Sequence, residues 1–229
     1  MAGNAYIAEI LTKEYGINNL EKLEKIDYTI EKFNEKISKV TITSNGCESF
    51  CCPVYAMFDG YNMSWYGDYG VWGFNCTWET NVHNLNYNGP YYMLEKLVSR
   101  ERYEFDAKEC EKQFLELVKE GPWYSSELDE DGQKRFLKFI EDPFDYISCD
   151  DPFYEHEDMC EGLRDLYRAT GDKYEWISAV RRFAQEDISD VFNCEEYELY
   201  NIGDKAPARF FIILYLLSIV AEREAAKNA

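Results

Sequence analysis

Eight cysteines, two histidines and 44 carboxylates are the side chains through which this 229-residue chain can do chemistry. A thiol beside an imidazole makes a nucleophile with its base, and Cys76 with His83 is one such pair. A chain with this many cysteines offers such pairs by chance, and neither His83 nor His156 stands in a metal or nucleophile motif. Four thiolates can hold zinc, but Cys47, Cys51, Cys52 and Cys76 lack the C-x-x-C spacing, and two adjacent cysteines chelate one ion awkwardly. Paired carboxylates serve acid–base catalysis or magnesium binding, yet a chain this acidic contains many pairs with neither role, and Asp150-Asp151 is expected to cap a helix. Gly67, Gly70 and Gly73 are not followed by the Lys-Ser or Lys-Thr of a phosphate loop; beside Trp65, Trp72 and Phe74 they are expected to serve a hairpin and close packing. The reading is a binding protein and not an enzyme, with no cofactor and no metal.

The acids are informative through their placement. The formal charge of −20 repels phosphate backbones and anionic membrane surfaces and favours a basic protein partner. Residues 127–161 carry thirteen acidic and three basic side chains, whereas the first 40 residues are nearly neutral. Glu155, Asp158, Glu161 and Asp165 recur at three, three and four residues, which places them on one helix face while Met159, Leu163 and Leu166 face elsewhere. At 1.5 Å rise per residue those carboxylates sit about 5–6 Å apart along the axis, approaching the phosphate spacing of a nucleic-acid strand. Such a face can imitate DNA. Asp129, Glu130 and Asp131 extend the acidic run, and the segment from Glu186 to Asp204 adds seven acids and no base, Glu195, Glu196 and Glu198 among them with Tyr197 and Tyr200 interleaved. These ten carboxylates, from Asp129 to Glu198, are the candidate partner-binding residues. Solvated surface is the competing explanation for each segment.

The elements that must position them follow from periodicity. Ala5 to Tyr15 reads as a short amphipathic helix ending at Gly16. Leu20, Leu23, Ile26, Ile30, Phe33 and Ile37 recur at helical spacing and predict a longer helix capped by Asn18 or Asn19. From Lys39 the period becomes two, with turns at Asn45-Gly46, Asp59-Gly60 and residues 67–70, predicting a three- or four-stranded antiparallel meander over 39–78. Tyr91 to Val98 looks helical. Further helices are expected from the cap Asp106 to Gly121-Pro122, from Ser126 to Glu141, from Asp151-Pro152 to Gly171, from the cap Asp172 onward, and from Pro207 through an apolar run expected to pack centrally.

The fold class is thus α+β: N-terminal helices, the small meander, then a mainly helical C-terminal half. With no repeat or linker, one domain over 1–229 is favoured, with a possible subdivision into an α+β part (1–120) and an acidic helical part (121–229). The apolar run Phe210 to Val220 is short for a membrane span, and no secretory signal is visible. A cytoplasmic location with reduced cysteines is expected.

The stretch Met63-Ser-Trp-Tyr-Gly-Asp-Tyr-Gly-Val-Trp-Gly-Phe-Asn-Cys-Thr-Trp78, followed by Tyr91-Tyr-Met-Leu-Glu-Lys-Leu97 and Glu104-Phe-Asp106, resembles uncharacterised proteins carried by bacteriophages and mobile elements, over about residues 54–120. The resemblance implies a phage-type setting within a bacterial host and brings no catalytic residues with it. Together with the localised acidity it leads to the expectation of an anti-defence inhibitor, anti-CRISPR-like or other, that occupies a basic nucleic-acid-binding surface. An acidic immunity or scaffold protein for a basic toxin, and an enzyme with an unrecognised carboxylate or thiol centre, are the alternatives.

Overall fold

The structure, a computed structural model, describes residues 2–44, 53–85, 89–98, 103–183, 188, 191, 192, 194 and 196–227. It is α+β, with an N-terminal helix, a five-stranded antiparallel meander and a mainly helical C-terminal half. Two compact units make up the chain: Met1–Tyr103 with Ala206–Ala229, and Glu104–Lys205. The second is therefore an insertion in the first, and the subdivision expected at residue 120 does not coincide with either boundary.

In the first unit α1 (Ala2–Lys13) and a single turn, α2 (Leu20–Leu23), precede β1 (Ile26–Lys32), β2 (Ile37–Ser44), β3 (Val54–Asp59), β4 (Asn62–Gly67) and β5 (Trp72–Asn75), which pair in chain order. α3 (Pro90–Glu95) follows, and the C-terminal helix Ala208–Lys227 completes the unit. The long helix expected from Leu20 to Ile37 does not form. Its apolar residues fit a strand as well, because Ile26, Tyr28 and Ile30 alternate, and β-branched side chains favour the extended form. Asn34 decides the matter locally: its Oδ1 accepts hydrogen bonds from the N–H groups of Lys36 (2.8 Å) and Ile37 (2.7 Å), which turns the chain so that Ile30 pairs with Val40 and Tyr28 with Ile42. The sheet thus begins at Ile26 instead of Lys39 and has one strand more than the expected maximum. The turn expected at Asn45-Gly46 lies outside the described residues.

One row of cross-strand neighbours, Ile30, Val40, Ala56, Trp65 and Trp72, traverses all five strands on the core face. Phe210 of the C-terminal helix lies over its aromatic end, with ring centroids 5.6 Å from Trp65 and 5.8 Å from Trp72. Each fully buried ring contributes about 2–3 kcal/mol by leaving water. That helix is buried along nearly its whole apolar run because it is apolar all round, the pattern of a central helix, and α1 packs against it. Among the described residues no helix is long and apolar enough to cross a membrane. Gly67 ends β4 at φ +139°, and a Cβ there would stand 2.1 Å from the carbonyl oxygen of Pro53, so only glycine fits.

The second unit opens and closes with a two-residue ladder, β6 (Glu104–Phe105) against β7 (Asp204–Lys205). Between them lie α4 (Ala107–Glu120), α5 (Pro122–Ser126), α6 (Glu130–Glu141), a 3-10 turn (Tyr154–His156), α7 (Glu157–Ala169), α8 (Lys173–Arg182) and α9 (Glu196–Leu199). The caps act as their sequence positions predict. Asp106 accepts from the N–H groups of Lys108 and Glu109, and Asp172 from those of Tyr174 and Glu175. Asp151 does not cap: α7 starts only at Glu157, and the Asp151 carboxylate is instead bonded to Arg135 and the N–H of Ser148. The core is aromatic, with Phe114 edge-on to Trp176 (5.8 Å) and Phe136 edge-on to both Trp123 (5.0 Å) and Phe153 (5.5 Å).

Gly121, between α4 and α5, is a contact point of this core. A Cβ added there would lie 1.6 Å from the carbonyl oxygen of Val191, which is backbone and cannot swing aside. Gly121→Ala is therefore expected to destabilise the protein by about 3 kcal/mol through overpacking, whereas Gly171→Ala, where nothing lies within 4 Å, is expected to be neutral or slightly stabilising. Denaturant midpoints of the two variants check the contrast.

Candidate acidic binding surface

The second unit holds 29 acidic against 12 basic residues, a formal −17 of the chain's −20, which leaves the larger first unit at −3. Part of that acidity is consumed inside the fold. Asp145 and Asp151 grip Arg135, Asp204 binds Lys173 (2.5 Å), Glu111 accepts from the Tyr167 hydroxyl (3.0 Å), and Asp106 and Asp172 cap helices.

The ten carboxylates singled out from sequence fall into three groups. Asp129, Glu130 and Asp131 start α6 and are exposed; Asp129 accepts from the N–H of Gly132 (2.8 Å), and all three complement the positive end of the helix. A Cβ at Gly132 would touch both Asp129 Oδ1 (3.2 Å) and Pro152 (3.4 Å), so the start of α6 adjoins the segment leading into α7. His156 stands edge-on to Trp123 of α5, 5.8 Å away, and closes the same corner. Glu155, Asp158, Glu161 and Asp165 are all exposed, but only the last three belong to α7, since Glu155 lies in the 3-10 turn before it.

The stripe is also partly neutralised. Glu161 lies 3.7 Å from Arg164 and Asp165 lies 3.5 Å from Arg168, so free carboxylate character concentrates at Glu155, Glu157 and Asp158. The third group sits against α8: the Trp176 indole donates to the carbonyl of Leu199 (2.7 Å), and Tyr200 donates to Glu196. Glu198 is exposed, and Glu195 lies outside the described residues, as do Glu186, Asp187 and Asp190.

The alternative chemistry can be placed as well. Cys76 is buried and His83 exposed, and burial pushes the Cys76 thiol up to about 11 against the opposing pull of Lys96. Burial likewise raises Cys110 and Cys160 to about 12 each, while Cys149 is exposed. A thiol holding its proton this firmly is a poor nucleophile. An alkylating reagent applied to the native protein, read by peptide mapping, is expected to modify Cys149 and to reach Cys76, Cys110 and Cys160 only after denaturation. Fast native labelling of Cys76 would instead reveal an activated thiol. Among the described residues no group of three or more His, Cys, Asp and Glu side chains is arranged to hold a metal, and Cys47, Cys51 and Cys52 lie outside them.

Sequence reasoning missed the arginines of this unit and the loop they hold. Arg135 donates five hydrogen bonds, two to Asp145, two to Asp151 and one to the carbonyl of Tyr146. Arg164, buried at 5% exposure, lies 3.4 Å over the Phe139 ring and donates to the carbonyls of Phe139 and Asp145. Burial lowers its pKa from the ordinary arginine value. The available signal was an arginine placed within a strongly acidic run. Comparisons of the chain with protein-family models, curated proteins and solved structures find no match.

Proposed function

We propose that this protein is a binding protein, an inhibitor of a bacterial defence system of the type carried by phages, whose inserted unit engages a basic nucleic-acid-binding surface. The observation that carries the reading is the segregation of charge, −17 in the insertion against −3 in the sheet-containing unit. A charge concentrated in one folded unit steers a cationic partner to that unit and penalises polyanions. The resemblance of Met63 to Trp78 and the residues after it to phage proteins supports the setting.

A second reading, neutralisation of a basic toxin, draws on the pairing of Glu161 and Asp165 with arginines, because a ladder that imitates phosphates needs its carboxylates free. Affinity capture with the tagged full chain from bacterial lysate, at low and high salt and with duplex DNA as competitor, separates the two. A basic partner released by salt and displaced by DNA supports occupation of a nucleic-acid site. Release by salt without displacement supports the toxin reading. Capture of a non-basic partner that salt does not release defeats both.

A further inference from the structure

The loop from Asp142 to Phe153 joins α6 to the 3-10 turn before α7, and it presents two aromatic side chains to solvent, Phe144 at 92% and Tyr146 at 73% exposure. Loops usually carry polar side chains there, and an aromatic ring left in water forgoes a large burial free energy. The backbone beneath these rings is held from several directions. Arg168 donates to the carbonyl of Pro143 (3.3 Å), Arg164 to that of Asp145 (2.8 Å) and Arg135 to that of Tyr146 (2.9 Å). The N–H groups of Phe144 and Tyr146 are taken by the carboxylates of Asp142 and Asp145, both at 2.9 Å.

Three arginines from two helices thus fix the backbone of residues 143–146, whose two aromatic side chains contribute nothing to the core, whereas Phe153 at the far end of the loop is buried in it. We propose that residues 143–146 form an aromatic anchor, Phe144 with Tyr146, that inserts into an apolar patch bordered by lysine and arginine on a protein partner. The inference rests on the cationic-partner reading and adds the residues that would hold the complex together. Charge complementarity selects this occupant. Asp142 and Asp150 flank the rings within a unit of formal charge −17, which opposes base stacking, bilayer insertion and pairing with a second copy of the chain alike. A partner with positive charge around an apolar recess satisfies both features. The loop is preset, so little ordering entropy is lost on docking, and rigid aromatic anchors are where interface free energy concentrates.

The test uses two probes of equal charge, an oligolysine and an amphipathic lysine–leucine peptide, titrated into the full-length protein and into the Phe144→Ala/Tyr146→Ala variant. Because both side chains are exposed, the variant is expected to unfold at the wild-type temperature. Wild type is expected to bind the lysine–leucine peptide about 30-fold more tightly than oligolysine, and the variant to lose that preference while its oligolysine binding stays unchanged. If wild type binds both probes equally and salt weakens both, the cationic-partner reading stands and the anchor is overturned. Binding of neither probe overturns both. Concentration-dependent self-association of wild type that the variant abolishes assigns the loop to contact between copies and likewise overturns the anchor.

Discussion

Replacing Glu155 and Asp158 together by lysine is expected to weaken binding of oligolysine, and of the partner captured from lysate, by about 100-fold at low ionic strength. Both carboxylates are exposed, and neither has an ion-pair partner among the described residues. Reversing them therefore changes the field by four charges without breaking a bond within the fold. Most of the loss should fall on the association rate and shrink as salt is added. Glu161→Lys with Asp165→Lys makes the same nominal change and is expected to act several-fold less on binding. Those carboxylates already share their charge with Arg164 and Arg168, and their removal leaves two arginines facing new lysines, so stability falls as well. Titration of both variants at two salt concentrations, with thermal unfolding as control, distinguishes the cases. Equal effects would mean that the spacing along the helix matters and the ion pairs do not.

That difference between neighbouring acids shows what a linear sequence reveals and what it hides. The caps at Asp106 and Asp172 were legible because an N-cap joins one side chain to N–H groups two or three residues on, whereas the cap at Asp129 lay inside a helix expected to start at Ser126. The hairpin at Asp59-Gly60 and the core role of the C-terminal helix were legible for similar reasons, turn chemistry and unbroken apolarity. β1 was not, because Leu20, Leu23, Ile26, Ile30, Phe33 and Ile37 satisfy the helical period. What overrides it is pairing with β2, a non-local interaction, and Phe33, counted as part of a buried face, ends 59% exposed at the hairpin tip. The acidic surface was legible as composition and not as geometry. Asp145 was counted only within the acidic run and Asp151 was expected to cap a helix, until folding placed Arg135 between them, at side-chain exposures of only 13% and 10%. The exposure of Phe144 and Tyr146 could not be read at all, since aromatic residues in a loop are as often buried as displayed.

Arg135→Met should cost about 3 kcal/mol and with it the display of the aromatic loop. Removing the guanidinium strands two largely buried carboxylates, and breaking a buried pair from one side costs more than the pair itself contributes. The figure lies at the low end for such losses for two reasons. Arg135 keeps 26% of its side chain in solvent, and Asp145 and Asp151 retain the N–H groups of Tyr146 and Ser148. Arg135→Lys should recover only part, because an ammonium cannot span both carboxylates as the fork does. The pH dependence has a defined sign. Burial alone would raise the Asp145 pKa, but the Tyr146 N–H and the Arg135 guanidinium outweigh it and hold the carboxyl below its ordinary value. A group whose folded pKa is depressed stabilises fully above its unfolded value and loses that contribution as pH falls through the folded one. Wild type and Arg135→Met should therefore differ by a constant margin near neutrality and converge below about pH 4. Urea unfolding across that range measures the convergence. Loss of lysine–leucine peptide binding by Arg135→Met at neutral pH, with the rest of the fold intact by circular dichroism, would tie this arginine to the exposed rings it positions.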